Sequence, residues 1–213
     1  FAQSGEFNHL SVVGDTGSGK TATLSYLWRM FGMSGEPFSV DSSNFAQLTT
    51  FSSTNSIPLW FDEYKPSDIR DYKIDRFHDR YRKATRGAIA ERGNSDQTTT
   101  TYKIEAPVVV SGEQQIQGPA ERRRTVQTQF RSATTDPGTD TARRFKNLVG
   151  KARIEDDQIE IADDAPDPGE HALAYYRWIC DVDDAHLREL WYDSLEAAHR
   201  RLDELGVAEA LDE

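Results

Sequence analysis

The stretch LSVVGDTGSGKTATLSYLWRMFG, from Leu10 to Gly32, decides how this chain is read. Asn8 to Val13 form a short apolar run that Gly14 breaks. Thr21 to Phe31 then carry helical spacing through Ala22, Leu24, Leu27, Trp28 and Phe31. Between strand and helix, Gly14 to Thr21 (GDTGSGKT) fit the phosphate-cradling pattern G-x-x-x-x-G-K-[ST]. In such a loop, successive backbone N–H groups and the start of the helix converge on one anion. Glycines are needed because a Cβ would block close approach. Gly14, Asp15, Thr16, Gly17, Ser18 and Gly19 are therefore expected to wrap the phosphates of ATP or GTP, with Thr23 completing the set. Lys20 would neutralise the β- and γ-phosphates, and the Thr21 hydroxyl would bind Mg²⁺.

Three further stretches carry chemistry. IPLWFDEYK, Ile57 to Lys65, reads as an apolar strand ending in adjacent carboxylates. At a frayed strand end two neighbours can address one site, so Asp62 is assigned to the metal and Glu63 to deprotonating a water. A dedicated water activator argues against a small-molecule kinase. APVVVSGEQQ reads as a buried strand whose end offers Ser111, Glu113 or Gln114 to the γ-phosphate. ERRRTVQTQF crowds three arginines before a strand, either as a solvated basic turn or to meet an anion. An arginine reaching a neighbouring subunit's nucleotide stabilises transition-state charge, and Arg123 and Arg124 are the candidates, ahead of Arg122.

Taken in order, GDTGSGKT, IPLWFDE, VVVSGEQ and ERRRTVQTQF resemble the ATPase domains of the AAA+ branch of P-loop proteins. Within it the chain is similar to the superfamily 3 helicases of viruses and plasmids, over roughly residues 8–150. YRKATRGAIAERG leading into a strand that ends SGE looks like a helicase-like group from phages, plasmids and conjugative elements. The resemblance implies an α/β fold, a mainly parallel five-stranded sheet of order 5-1-4-3-2, and a ring oligomer. It also implies ATP sites between subunits and a nucleic-acid pore. Lys20, Thr21, Asp62 and Glu63 match the family's functional positions, whereas Ser111-Gly112-Glu113-Gln114 stand where superfamily 3 proteins usually place an Asn.

The 213 residues suffice for one domain with an appendage, expected as a core over 1–135 and an acidic linker plus helical region over 136–213. Asp136-Pro137-Gly138 mark that boundary, ahead of a short helix at Ala142–Val149. No run of about 18 apolar residues is present, so no membrane span is expected. The start, FAQSGEFNHL, lacks Met and a signal peptide, which suggests a domain cut from a longer chain. Cys180 is the single cysteine, so a cytoplasmic location is expected.

Charge is divided. Residues 1–153 carry 21 Lys+Arg against 17 Asp+Glu, and residues 154–213 carry 4 against 19. The core could thus face a polyanion, with single-stranded DNA or a fork as the expected partner, while the tail would repel it. The acidic excess, with Lys only seven of 25 basic residues, equally fits a salt-adapted surface. Between Lys65 and Arg92, nine basic residues face five acidic ones. Arg76, Arg80, Lys83 and Arg86 recur near one face of a helix expected over 67–85, and Ala88–Ile104 read as a hairpin around Gly93-Asn94, a candidate pore element. The interleaved Asp71, Asp75 and Asp79 fit an ordinary ion-paired surface helix instead. Helices are expected at Glu170–Cys180 and Asp184–Leu205, the latter burying Leu187, Leu190, Trp191, Leu195, Ala198, Leu202 and Leu205 as core or offering them to a partner. Two functions remain open: a DNA-dependent ATPase motor, or a nucleotide-dependent switch or assembly ATPase that moves no DNA.

Overall fold

The computed structural model describes residues 7–93, 97–131, 138–140, 142–143, 152–155, 158–161 and 168–204. Five strands form the main sheet: β1 (His9–Gly14), β2 (Phe38–Ser39), β3 (Leu59–Tyr64), β6 (Val108–Gly112) and β7 (Thr125–Phe130). They lie in the order β2-β3-β6-β1-β7 and every pairing is parallel. In chain-order labels this differs from the expected 5-1-4-3-2. The physical reason is that β4 (Ala88–Gly93) and β5 (Thr99–Ile104) form an antiparallel hairpin of their own between β3 and β6. A parallel sheet flanked by helices is compatible with a P-loop nucleotide-binding fold.

Strand alternation sorts the core into two layers. Leu59, Phe61, Val108 and Val110 face one side, packed on α2 (Asn44–Phe51) and α3 (Asp71–Ala84) through Leu48, Phe51, Ile74, Phe77 and Tyr81. Trp60 and Val12 face the other, against Leu24 and Trp28 of α1 (Lys20–Arg29). Helical spacing makes this possible: Lys20, Leu24 and Trp28 are the buried stripe of α1. Ser43 caps α2 by accepting from the Ala46 N–H at 3.2 Å.

Several boundaries shift. A 3-10 turn at Pro66–Asp68 precedes α3, which starts at Asp71 and ends before Arg86. Of the three arginines, Arg122 ends a single helical turn, α4 (Pro119–Arg122), Arg123 caps it, and Arg124 leads into β7. The hairpin spans Ala88 to Ile104 as expected, but Gly93, expected in its turn, ends β4 opposite Thr99, and 94–96 lie outside the described residues. So do most of the Asp136-Pro137-Gly138 boundary and of the helix expected at Ala142–Val149.

A second hairpin pairs β8 (Ala152–Glu155) with β9 (Gln158–Ile161), inside a stretch read as linker. The chain divides into two compact units, Phe1–Ala172 and Leu173–Glu213. Two helices close the described chain, α5 (Pro168–Asp181) and α6 (Asp184–Glu204). Of the stripe expected on α6, as core or as a surface for a partner, Trp191 and Leu195 are 51% and 41% exposed, against the core reading. Leu202 and Leu205 of that stripe lie outside the described side chains. Among the described residues no helix is long and apolar enough to cross a membrane.

Candidate nucleotide-binding site

The glycine loop leaves β1 and enters α1 through Gly19, whose φ of 86° is left-handed backbone that a side chain resists. Its centre is Lys20, which is 8% exposed. The ammonium donates to the Gly14 carbonyl at 2.6 Å, the Asp15 carbonyl at 2.8 Å and Ser18 Oγ at 3.4 Å. The loop therefore folds around its own lysine, while Asp15, Thr16 and Gly17 stand exposed at its rim. Thr23 turns its hydroxyl back onto the Gly19 carbonyl at 2.9 Å, a bond within the helix.

At the end of β3 the register with β6 slips. Phe61 pairs with Val110 but Tyr64 with Gly112, so two residues, Asp62 and Glu63, stand opposite Ser111. This is a β-bulge, and Glu63 adopts φ 57°, rare for a side chain of its size. Gly112 makes the close approach possible, since a Cβ there would sit 2.3 Å from the Tyr64 carbonyl oxygen. Asp62 is aimed back at α1. Thr21 Oγ1 donates to its Oδ2 at 3.3 Å, and Ser111 Oγ donates to its Oδ1 at 2.5 Å. Asp62 Oδ1 also accepts from the Glu63 N–H at 2.9 Å. Trp60 Nε1 donates to Ser111 Oγ at 2.7 Å, which fixes the direction of the serine's own proton toward Asp62. Glu63 itself is exposed.

The three residues after β6 separate. Ser111, fully buried, belongs to the Asp62 network. Glu113 accepts from the Thr16 hydroxyl of the glycine loop and pairs with Lys65 at 3.1 Å. The Thr16 bond, then Lys65, hold its carboxyl below the usual range, and the same pairing raises Lys65. Gln114 points elsewhere, donating to Ser67 Oγ at 3.0 Å. Sequence reasoning named the trio without separating it, and missed both Trp60 and Lys65. The signal was present, because an indole at the penultimate apolar position of β3 needs a partner when buried.

Among the arginines, Arg124 donates to the Ala120 carbonyl at 2.7 Å, whereas Arg122 and Arg123 are exposed on the surface. The helical basic face is corrected by the structure. Arg80 is 7% exposed and donates to Gln47 Oε1 at 2.6 Å and to Asn44. Burial lies behind this: position 80 falls on the same stripe as Phe77, His78 and Tyr81. Lys83 pairs with Asp79 at 2.7 Å, Lys73 with Asp41 at 2.5 Å, and Arg82 with Glu121.

A metal is implied by the loop. The donors facing one another, a threonine hydroxyl and an aspartate oxygen, are hard oxygen ligands of the kind Mg²⁺ takes. Thr21 and Asp62 fit it.

No family model matches the chain, and no curated protein does. Among solved structures it is similar to the X-ray structure of JCV helicase, at 15% identity and a TM-score of 0.41, over 84% of this chain and 52% of that one. The chain thus spans about half the length of that structure.

Proposed function

We propose that the chain is an ATP-binding, ATP-hydrolysing P-loop domain, the motor of a helicase- or replication-type protein acting on DNA. The observation that supports this best is the meeting of Thr21, from the loop after β1, with Asp62, from the end of β3, across the end of β6. Residues from the loop and two strand ends then surround one anion site.

In this reading the loop N–H groups and Lys20 hold the phosphates. Thr21 and Asp62 hold Mg²⁺, which when bound neutralises phosphate charge. Ser111 fixes the Asp62 carboxylate, and Glu63 takes the proton of a water aimed at the γ-phosphorus. Water attacks in line and ADP leaves. In a ring, a neighbouring copy supplies Arg123 or Arg124. Arg123 is the freer of the two, since Arg124 is tied to Ala120.

A second reading, a switch or assembly ATPase that moves no DNA, draws support from one observation: the cations of α3 at positions 73, 82 and 83 are paired within the fold. The two are separated by steady-state ATP hydrolysis with and without single-stranded DNA, across a salt series and beside Glu63→Gln. Stimulation that vanishes in Glu63→Gln supports the motor. Hydrolysis indifferent to DNA supports the switch. No turnover in an assembled oligomer would remove the catalytic claim.

A further inference from the structure

Arg80 carries a charge that the fold does not neutralise. Its guanidinium is buried, yet the oxygens it donates to belong to Gln47 and Asn44, which are neutral amides and a backbone carbonyl. Among the described residues no carboxylate lies within ion-pair distance of it. The nearest acid in sequence, Asp79, is engaged by Lys83 and Arg82. Burial pulls the Arg80 pKa down and Arg76 adds to that pull, against a smaller opposing effect from Asp79. A cation held out of water without a counter-ion is costly, and an anion reaching it would offset that cost.

An entry for that anion exists. Arg80 lines a cleft of about 270 Å³ between α2, α3 and the β4–β5 hairpin. Lys83 and Arg92 line it too, so three cations meet two carboxylates, Asp79 and Glu91. The cleft also has an apolar wall. Phe45 is 49% exposed, and the Arg92 guanidinium lies over its ring, 4.2 Å from the centroid. An exposed ring with a planar cation on its face is a stacking platform, and a nucleobase can take the place that the guanidinium holds.

We infer that this cleft binds one nucleotide of a single strand of nucleic acid, its phosphate drawn by Arg80 and Lys83 and its base stacked on Phe45 beside Arg92. The site deepens the DNA-acting reading above and rests on it for the partner, but it shares no residue with the nucleotide-hydrolysing loop. It also accounts for the internal pairing on α3. Lys83 exchanges a surface carboxylate for a phosphate, while Arg80 keeps its amide partners and gains the missing charge.

The test is fluorescence anisotropy of a labelled oligothymidylate of about 15 nucleotides, without ATP, on the full chain and on Lys20→Ala. Phe45→Ala is expected to weaken binding about tenfold, the effect of losing one base stack, and Phe45→Trp to retain it. Lys83→Gln should flatten the slope of log affinity against log salt by about 0.7, one phosphate contact on a single strand. Both positions lie at the surface, and circular dichroism checks that each variant folds. Unchanged affinity in both Phe45→Ala and Lys83→Gln overturns the cleft, even where the wild type binds. So does thymidine monophosphate displacing the oligomer at equal nucleotide concentration, which would mark a small-anion site. No response of the wild type overturns it as well. Because ATP is absent, loss of hydrolysis in another assay leaves this result standing, and failure here leaves the hydrolytic reading untouched.

Discussion

Phe61 and Tyr64 pack into the same core layer, although a regular strand would turn residues three apart to opposite faces. The bulge at Asp62-Glu63 absorbs the extra residue. Asp62 keeps the face of Trp60, toward α1, and Glu63 is thrust out at the strand end in left-handed backbone. Local strain of this kind concentrates at sites where a side chain must be aimed.

Glu63 should separate stability from turnover. Left-handed backbone costs a side-chain-bearing residue about 1–2 kcal/mol, and glycine returns about 0.5–1 of that as chain entropy. Glu63→Gly is therefore expected to melt no lower than the wild type while ATP hydrolysis falls by about a hundredfold or more. Glu63→Gln should bind ATP and likewise fail to turn it over. Calorimetric melting beside steady-state rates checks both. A large fall in melting temperature would make Glu63 a support of the fold instead.

Removing the Ser111 hydroxyl strands one partner and loosens another. Ser111→Ala leaves the buried Trp60 N–H without its acceptor and takes from Asp62 the shortest of its three donors, leaving Thr21 and the Glu63 N–H. The expected cost is about 1–3 kcal/mol in urea unfolding. Asp62 also loses its orientation, so Mg²⁺ should be needed at higher concentration for nucleotide binding. A variant of full stability and unchanged Mg²⁺ dependence would contradict the network.

His9 makes acid stability testable. Its Nδ1 accepts from the Val108 N–H at 3.2 Å, so Nε2 carries the proton toward the Tyr81 carbonyl at 2.8 Å, and the ring is neutral. Burial pushes its pKa down to about 4. The folded state thus resists a proton that the unfolded chain takes near pH 6.5. The stabilisation is complete above that value and is lost as pH falls toward 4, by about 2 kcal/mol at pH 5. Glutamine can accept and donate in the same two directions without titrating. His9→Gln should therefore flatten the change in unfolding free energy between pH 7 and pH 5 by about that amount.

Glu113 places a negative charge against the phosphate loop through Thr16. Glu113→Gln should tighten ATP binding a few-fold at low salt, with the gain shrinking as salt rises. Isothermal titration at two ionic strengths measures it. Weaker binding in the variant would show that Glu113 and Lys65 hold the loop in its receptive shape.

Much of this was legible in the chain. The strand–loop–helix at Leu10–Gly32 is a local pattern, and β7 begins and ends where TVQTQF does. The hairpin at Ala88–Ile104 followed from turn residues between β-rich flanks. What failed were inferences about faces. Arg80 sits at a spacing shared by a surface stripe and a core stripe, and only the packing of α2 against α3 placed it inside, bonded to Gln47. The apolar stripe of α6 has the spacing of a buried face, yet Trp191 is half exposed, because spacing shows that a face is apolar and not what covers it.

By itself the sequence determined the glycine loop, the positions of Lys20 and Thr21 in it, and the alternation that splits the core into two layers. These depend on residue types a few positions apart, where backbone geometry is fixed by local sterics. Tertiary structure alone decided that Asp62 meets Thr21, that Ser111 and not Gln114 joins them, and that Glu113 reaches Thr16. Those meetings join residues between 41 and 97 positions apart. They exist because parallel pairing brings the ends of β1, β6 and β3 to one edge, and a one-residue bulge then sets which side chain turns toward the loop.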